Sequence, residues 1–496
     1  MAIEDRDSAE ELAVTGIAGL DTILRGGFPR NHLYLIEGTP GSGKTTLALQ
    51  FLLEGVRRGE RCLYVTLSET ERELRAVAKS HGWSLDQITV LELVPLEADL
   101  ERQQGMIHPA EVDLGETAAL IQQNVDELRP DRLVIDAVTE LRLLAQDMLS
   151  YRRQTLALKQ FFAGRETTVL ALDDLTDPQR GLELHSVVHG VLTLEQRRME
   201  YGVVRRRLSV SKLRGVEFRS GYHDYVIRTG GLAVFESLIA AHHNRAFPAA
   251  AVLSELGELD DLLGGGLRRG TSTLVIGPSG VGKSSLAMRY AMAAVRRSEH
   301  AAVFAFEESY RTALERSLGL GMDIEAAIDA GLLCWEQVNP ATLSPGEFVN
   351  GVKRQVENGD NGARLVVIDS LNSYIVSMPE EQALTLHLHE LLAYLGNQGV
   401  TTILVMAQHG MIGGTQAPLD VSFLADTIIL LRYFEAAGEV RKAISVLKNR
   451  SGRHETTIRE YHLDGGMSVG PPIKEFQGVL TGVPRYLGTP DALDCC

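Results

Sequence analysis

At 496 residues the chain has room for two or three domains, since a typical domain takes about 150. Apolar residues at 44% and charged residues at 23% are those of an ordinary folded protein, which excludes wholesale disorder, a collagen-like fibre and a disulfide-stapled miniprotein. A formal charge of −16, with no concentrated basic run, repels polyanions, so nucleic acid is not an expected partner.

In chain order, Met1 to Leu12 is acidic and lacks an apolar segment, unlike a secretory leader. No apolar run reaches membrane-spanning length, so a cytoplasmic protein without a membrane partner is expected. Leu33–Glu37 is a β-rich run that enters a glycine loop, with a helix-like segment, Thr45–Arg57, behind it. Arg61–Thr66 reads as the next strand, with Cys62 as a buried thiol, and Glu69–His81 as the next helix. Leu133–Asp136 and Thr167–Leu172 are short and almost wholly apolar, as strands buried on both faces of a parallel sheet should be. Val204–Val210 looks like an added antiparallel strand. After an alanine-rich stretch interrupted by Pro248, the pattern returns with Thr273–Ile276, Ala302–Phe306, Leu365–Asp369, Thr402–Ala407 and Ala443–Leu447. Cys334, beside Leu333 and Trp335, reads as another buried thiol, and Cys495 and Cys496 as a frayed tail.

The second half repeats the first. Leu20-Asp21 with Gly26-Gly27 recurs as Leu259-Asp260 with Gly265-Gly266, and Gly38 to Thr45 recurs as Gly277 to Ser284, both at an offset of 239 residues. Leu133–Asp136 matches Val366–Asp369, and Lys212-Leu213-Arg214 matches Lys448-Asn449-Arg450. Four motifs in one order make this a duplication of a unit large enough to own a core. The expected organisation is residues 1–240, a linker at 241–252, a second domain at 253–482 and a short tail at 483–496. Alternating strands and helices predict an α/β fold in each.

GxxxxGK[ST] between a strand and a helix is a phosphate cradle, because backbone N–H groups wrap the anion and the helix N-terminus favours its charge. On that reading Gly38, Thr39, Gly41, Ser42, Gly43, Lys44, Thr45 and Thr46 bind nucleotide in the first unit. Gly277, Ser279, Gly280, Val281, Gly282, Lys283, Ser284 and Ser285 do so in the second. Lys44 and Lys283 reach the β- and γ-phosphates, while Thr45 and Ser284 ligate Mg²⁺, so ATP and Mg²⁺ are the expected cofactors. Asp136 and Asp369 close apolar strands, where a carboxylate holds the metal. Either alone is as readily a helix cap, and the matched spacing favours the metal role.

After the second strand come Glu307 and Glu308 in unit two, and Ser68 and Glu69 in unit one. A carboxylate there orients or deprotonates the attacking oxygen; the other reading is acidic residues favoured by a helix dipole. Mutual repulsion of Glu307 and Glu308 favours catalysis in unit two, whereas Ser68-Glu69 leaves both readings open. A solvated basic edge accounts for either Lys-x-Arg pair alone. Their recurrence points instead to cationic fingers reaching a neighbouring subunit's γ-phosphate, which requires a ring.

Together these residues resemble the KaiC family of circadian-clock ATPases and autokinases over about Thr15 to Gly482. Asp426–Leu431 with Gly438, Glu439 and Lys448 is similar to that family's pattern near its phosphorylation segment. The resemblance implies two tandem RecA-like P-loop NTPase domains, each a mostly parallel sheet covered by helices, stacked as rings in a homohexamer with ATP at subunit interfaces. It implies hydrolysis in the first ring and, in the second, transfer of the γ-phosphate to a serine and a threonine of the adjacent subunit.

The resemblance places the catalytic pair on Glu307, as base and Mg²⁺ ligand, and Glu308. With Ser68 in unit one, Glu69 is left to take the role. The phosphoacceptors fall on Ser422 and Phe423, so only one hydroxyl remains and a two-site cycle is not expected. Ser80 and His81 match the region flanking the base, Leu320 replaces an aromatic residue, and Phe218 stands where the family often has a histidine. Lys212, Leu213, Arg214, Lys448, Asn449 and Arg450 are the implied nucleotide contacts from the neighbour, and Gln408 is a candidate γ-phosphate sensor. The short tail argues against a clock cycle driven by a tail-binding partner, while signalling protein partners are expected. Two other readings stay open: a RecA/RadA-type DNA-dependent motor, and a nucleotide-gated scaffold with incidental turnover, which Ser68 favours for the first ring.

Overall fold

A computed structural model describes residues 12–93, 109–143, 148–175, 182–199, 202–376, 381–408, 423–436, 438–481 and 484–487. The chain divides into two compact units, Met1–Ser237 and Leu238–Cys496. Each is built on a nine-stranded sheet.

In the first unit the order is Gly231–Phe235, Tyr222–Arg228, Arg205–Leu213, Gly190–Arg197, Leu33–Gly38, Thr168–Asp174, Arg132–Asp136, Cys62–Thr66, Ile88–Glu92. The six strands from Gly190–Arg197 onward run parallel, and the three before them pair antiparallel. Unit two repeats the order as Ser468–Pro472, Arg459–His462, Glu439–Asn449, Thr427–Ala436, Ser272–Gly277, Thr401–Ala407, Leu365–Asp369, Ala301–Ala305, Leu333–Gln337. The expected antiparallel additions are Arg205–Leu213 and Glu439–Asn449, paired in turn with their parallel neighbours.

The apolar strands are buried throughout because both faces carry cover. Leu33 and Leu35 join one core cluster, Tyr34 and Ile36 the other, as successive side chains must alternate across a sheet. Leu274 and Val275 divide in the same way in unit two. The sheets place the glycine loops centrally: Leu33–Gly38 and Ser272–Gly277 each end in one, and each is separated from its aspartate-bearing strand by a single strand. Such a crevice at the carboxyl ends of parallel strands is where α/β sheets take ligands.

Local chemistry fixes the following helices. Gly43 and Gly282 sit at the helix N-termini with φ of 100° and 108°, a backbone region that side chains oppose. Thr70 and Glu73 form a reciprocal capping box that starts the helix Glu71–Ser80, two residues later than the sequence pattern predicts.

Candidate nucleotide sites

In the first unit the loop is braced from below. Ser42 N–H donates to Thr39 O at 3.1 Å, and the Tyr225 hydroxyl donates to Ser42 O at 2.5 Å. Lys44 folds back over the loop, donating to Gly38 O at 2.8 Å and Thr39 O at 3.3 Å and pairing with Asp174 at 2.6 Å. Behind the loop, the Thr45 hydroxyl donates to Asp136 at 3.1 Å, and Tyr64 donates to the same carboxylate oxygen. Burial pushes the Asp136 carboxyl above its ordinary range, against the pull of the Tyr64 and Thr45 hydrogen bonds.

The second unit repeats the frame with different occupants. Lys283 donates to Pro278 O at 2.7 Å; burial lowers its pKa, opposed by Asp369 and Glu307. Burial raises Asp369, against a hydrogen bond from Ser284. Thr45 with Asp136, and Ser284 with Asp369, each give a hydroxyl and a buried carboxylate whose charge burial disfavours. A hard cation would stabilise that charge, and the oxygen pair suits Mg²⁺, which uses few protein ligands and keeps the rest for phosphate and water. Among the described residues no group of three or more His, Cys, Asp or Glu could hold a metal without such help.

Backbone hydrogen bonds fix which residues correspond. Leu67 N–H donates to Asp136 O, and Phe306 N–H to Asp369 O, so Ser68 stands at the Glu307 position and Glu69 at the Glu308 position. Glu307 and Glu308 do not confront each other as two like charges, because each has its own partners. Ser370 and Ser373 donate to Glu307 at 2.5 and 2.6 Å, while Arg316 grips Glu308 through two bonds at 2.8 and 2.9 Å and reaches Ser285 at 3.1 Å. In unit one Ala137 and Glu140 replace the two serines, and Val77 stands where the arginine would be. Glu69 is consequently unclamped: its Oε2 is buried without a hydrogen-bond partner, and burial, helped by Asp136, Glu73 and Asp174, raises its pKa.

A cavity of about 480 Å³ opens beside the second loop, lined by Ser279, Gly280, Gly282, Lys283, Ser284, Ser285, Glu307, Glu308, Arg316, Gly319, Leu320, Asp369 and their neighbours. It therefore brings the loop, both carboxylates and the aspartate to one place. Ser80 and His81 occupy the positions of Gly319 and Leu320. The Ser80 hydroxyl donates to Val77 O at 2.7 Å, and His81 contacts Arg228 O at 2.9 Å and stacks on Trp83. Phe218 packs against the core of its unit. Gln408 N–H bonds to Gly277 O at 3.0 Å, directly before the second loop.

The Lys-x-Arg pairs lie at the other end of each sheet. Lys212 is level with Val191 and so with Leu35, and Arg214 N–H bonds to His189 O at the strand's start. Lys448 is level with Ile428 and so with Leu274. Five residues of strand put roughly 15 Å between the arginines and the loop of their own unit. Arg214 and Arg450 follow strands that end at Leu213 and Asn449, so in each pair only the lysine lies on a strand. Lys212 is anchored on His185 O and on Val188 O at 2.8 Å, Arg214 on Ser186 O at 3.1 Å, and Lys448 on Ala425 O at 2.7 Å. Ser422, with Cys495 and Cys496, lies outside the described residues; Phe423 beside it is exposed.

The family model described as "ATPase: KaiC" matches this chain twice, over residues 13–239 and 254–472. The chain belongs to the KaiC ATPase family. Its relatives include "Circadian clock protein KaiC3" of Synechocystis, 28% identical over 98% of this chain and 97% of that protein. "Circadian clock oscillator protein KaiC" of Synechococcus elongatus is also 28% identical, over 95% of this chain and 92% of its own length. As in that family, the two units are tandem RecA-like ATPase domains, and ATP binding follows from membership. Among the described residues no helix is long and apolar enough to cross a membrane. Sequence reasoning missed Arg316, Ser370, Ser373 and Asp174. The doubled aspartate closing Thr168–Asp174 was the one local signal; the others are legible only once the strands are aligned.

Proposed function

We propose that this KaiC-family ATPase is a homohexamer in which each nucleotide is shared between neighbouring subunits, with ATP hydrolysis in both units and serine autokinase activity in the second. The observation that carries this reading is the spacing of charge within one unit. A cradle, a metal-suited aspartate and a carboxylate converge at one end of the sheet, and the recurrent lysine and arginine stand at the other, out of reach of their own cradle. A head-to-tail ring, in which one subunit's arginine end meets the next subunit's loop, completes the site.

In the second unit Lys283 holds the phosphates, Ser284 and Asp369 hold Mg²⁺, and Glu307 accepts the proton of the attacking oxygen, whether of water or of the Ser422 hydroxyl of the adjacent subunit. Mg²⁺ supplies neutralisation of the charge that builds on the phosphates. Glu308, fixed by Arg316, sets the position of its neighbour. In the first unit Lys44, Thr45 and Asp136 do the corresponding binding, and the unclamped Glu69 is the base. The domain limits at residues 1–240 and 253–482, the cytoplasmic location and signalling partners belong to the same reading. The net charge of −16 weighs against a DNA-dependent motor.

The test combines mass measurement with phosphopeptide mapping of the full chain in Mg·ATP. A hexamer is expected, with Ser422 modified in the parent and unmodified after Lys283→Ala. Lys44→Ala should weaken assembly while Lys283→Ala preserves it. A monomer with undiminished turnover, or an unmodified Ser422 peptide at full coverage, contradicts the respective half of the reading.

A further inference from the structure

The two cradles differ in what faces the phosphate-binding lysine. Gly38 pairs with Asp174 across the neighbouring parallel strand, as Gly277 pairs with Ala407. Asp174 is therefore the register equivalent of Ala407, and its carboxylate lies 2.6 Å from the Lys44 ammonium. It is held there. Thr139 Oγ1 donates to Asp173 at 2.5 Å and accepts from the Asp174 N–H at 2.9 Å, while Leu175 N–H bonds to Gly38 O at 3.1 Å. Lys44 is thereby engaged by an anion of its own chain, at the strand end between the loop strand and the Asp136 strand. Lys44 is the residue through which a phosphate loop reaches the β- and γ-phosphates.

We infer that Asp174 is a nucleotide-specificity residue of the first unit, competing with the γ-phosphate for Lys44 and biasing this site toward the diphosphate. A triphosphate places one more negative charge against Asp174 than a diphosphate does, and its γ-phosphate draws on the lysine that Asp174 already pairs with. A diphosphate engages Lys44 through its β-phosphate alone and so competes less with Asp174. The second unit, with Ala407 at this position, carries no such penalty. The inference rests on the first unit being a nucleotide site and deepens that reading by naming its preferred ligand class.

Binding, rather than turnover, tests it. In full-length protein carrying Lys283→Ala to silence the second cradle, the affinities of Mg·ADP and of the Mg²⁺ complex of the non-hydrolysable imido analogue of ATP are measured by calorimetry. Asp174→Asn, and Asp174→Ala in a second variant, should tighten the triphosphate analogue about tenfold or more while changing ADP by much less. The reciprocal change, Ala407→Asp in a Lys44→Ala chain, should weaken the analogue by a similar factor. An analogue-to-ADP ratio unchanged within twofold, in proteins that bind both nucleotides, overturns the inference and leaves the nucleotide site standing. No binding of either nucleotide, with Asp174 or without it, overturns both.

Discussion

Arg132 heads the fully buried side chains of the protein, with 0% of its surface exposed, at the start of the strand that ends in Asp136. It lies over the Phe51 ring at 4.5 Å and donates to Val14 O and Phe51 O, both at 2.7 Å, and to Glu60. Burial alone would raise the Glu60 carboxyl, but hydrogen bonds from Arg132 and Arg30 outweigh it and hold the carboxyl below its usual range. Arg132→Ala breaks a buried pair, leaving Glu60 to Arg30 alone and emptying the space over Phe51, so it should destabilise the first unit by about 3 kcal/mol, read as an earlier denaturant transition. Because the folded Glu60 pKa is depressed, the pair's contribution is present at neutral pH and lost as pH falls through that value. The acid sensitivity of the first transition should accordingly be smaller in the variant. Cys62, on the adjacent strand, is buried and its thiol is pushed up to about 12 by desolvation. Its peptide should resist alkylation at neutral pH until the first unit unfolds, as mass spectrometry of the labelled chain would report.

At the scale of elements, the helices Glu71–Ser80 and Tyr310–Gly319 have the same place and different duties. Both start with a capping side chain, Thr70 or Ser309. The second carries Arg316 on the turn that faces the loop and clamps Glu308; the first has Val77 there and leaves Glu69 unclamped. Restoring the clamp by Val77→Arg should lower first-unit ATP turnover by about tenfold or more in a Lys283→Ala background, with nucleotide affinity little changed. Turnover equal to the parent would assign the base role to another group. This contrast was half legible in the sequence. Ser68 announced the lost carboxylate, but a residue eight positions along a helix means nothing until the helix is seen folded over the loop.

For the whole molecule, the proposed ring assigns activity to pairs of subunits, because each unit's cradle and arginine end lie at opposite ends of its sheet. Chains carrying Lys44→Ala retain the arginine end, and chains carrying Lys212→Ala with Arg214→Ala retain the cradle. Neither should turn over ATP at the first site when the second is silenced by Lys283→Ala. Mixed and reassembled, they should recover about a quarter of the parent rate, the share of interfaces in a random ring that join an intact cradle to an intact arginine end. A mixture as inactive as its components would place both groups in the service of one subunit.

The sequence by itself determined the duplication, the two phosphate loops, the aspartates at the ends of apolar strands and the α/β class. Each is a local pattern whose physics acts between near neighbours: glycines where the backbone turns, apolar runs where both strand faces are covered. What only the tertiary structure decided is which charges meet. Asp174 reaches Lys44 across 130 residues because two strands lie in register, and Arg316 reaches both Glu308 and Ser285 because its helix packs over the loop. The two units share their backbone frame, and the side chains that adjoining strands and helices bring to it make them chemically different. Electrostatic contact depends on distance in space, which the linear order of residues does not specify.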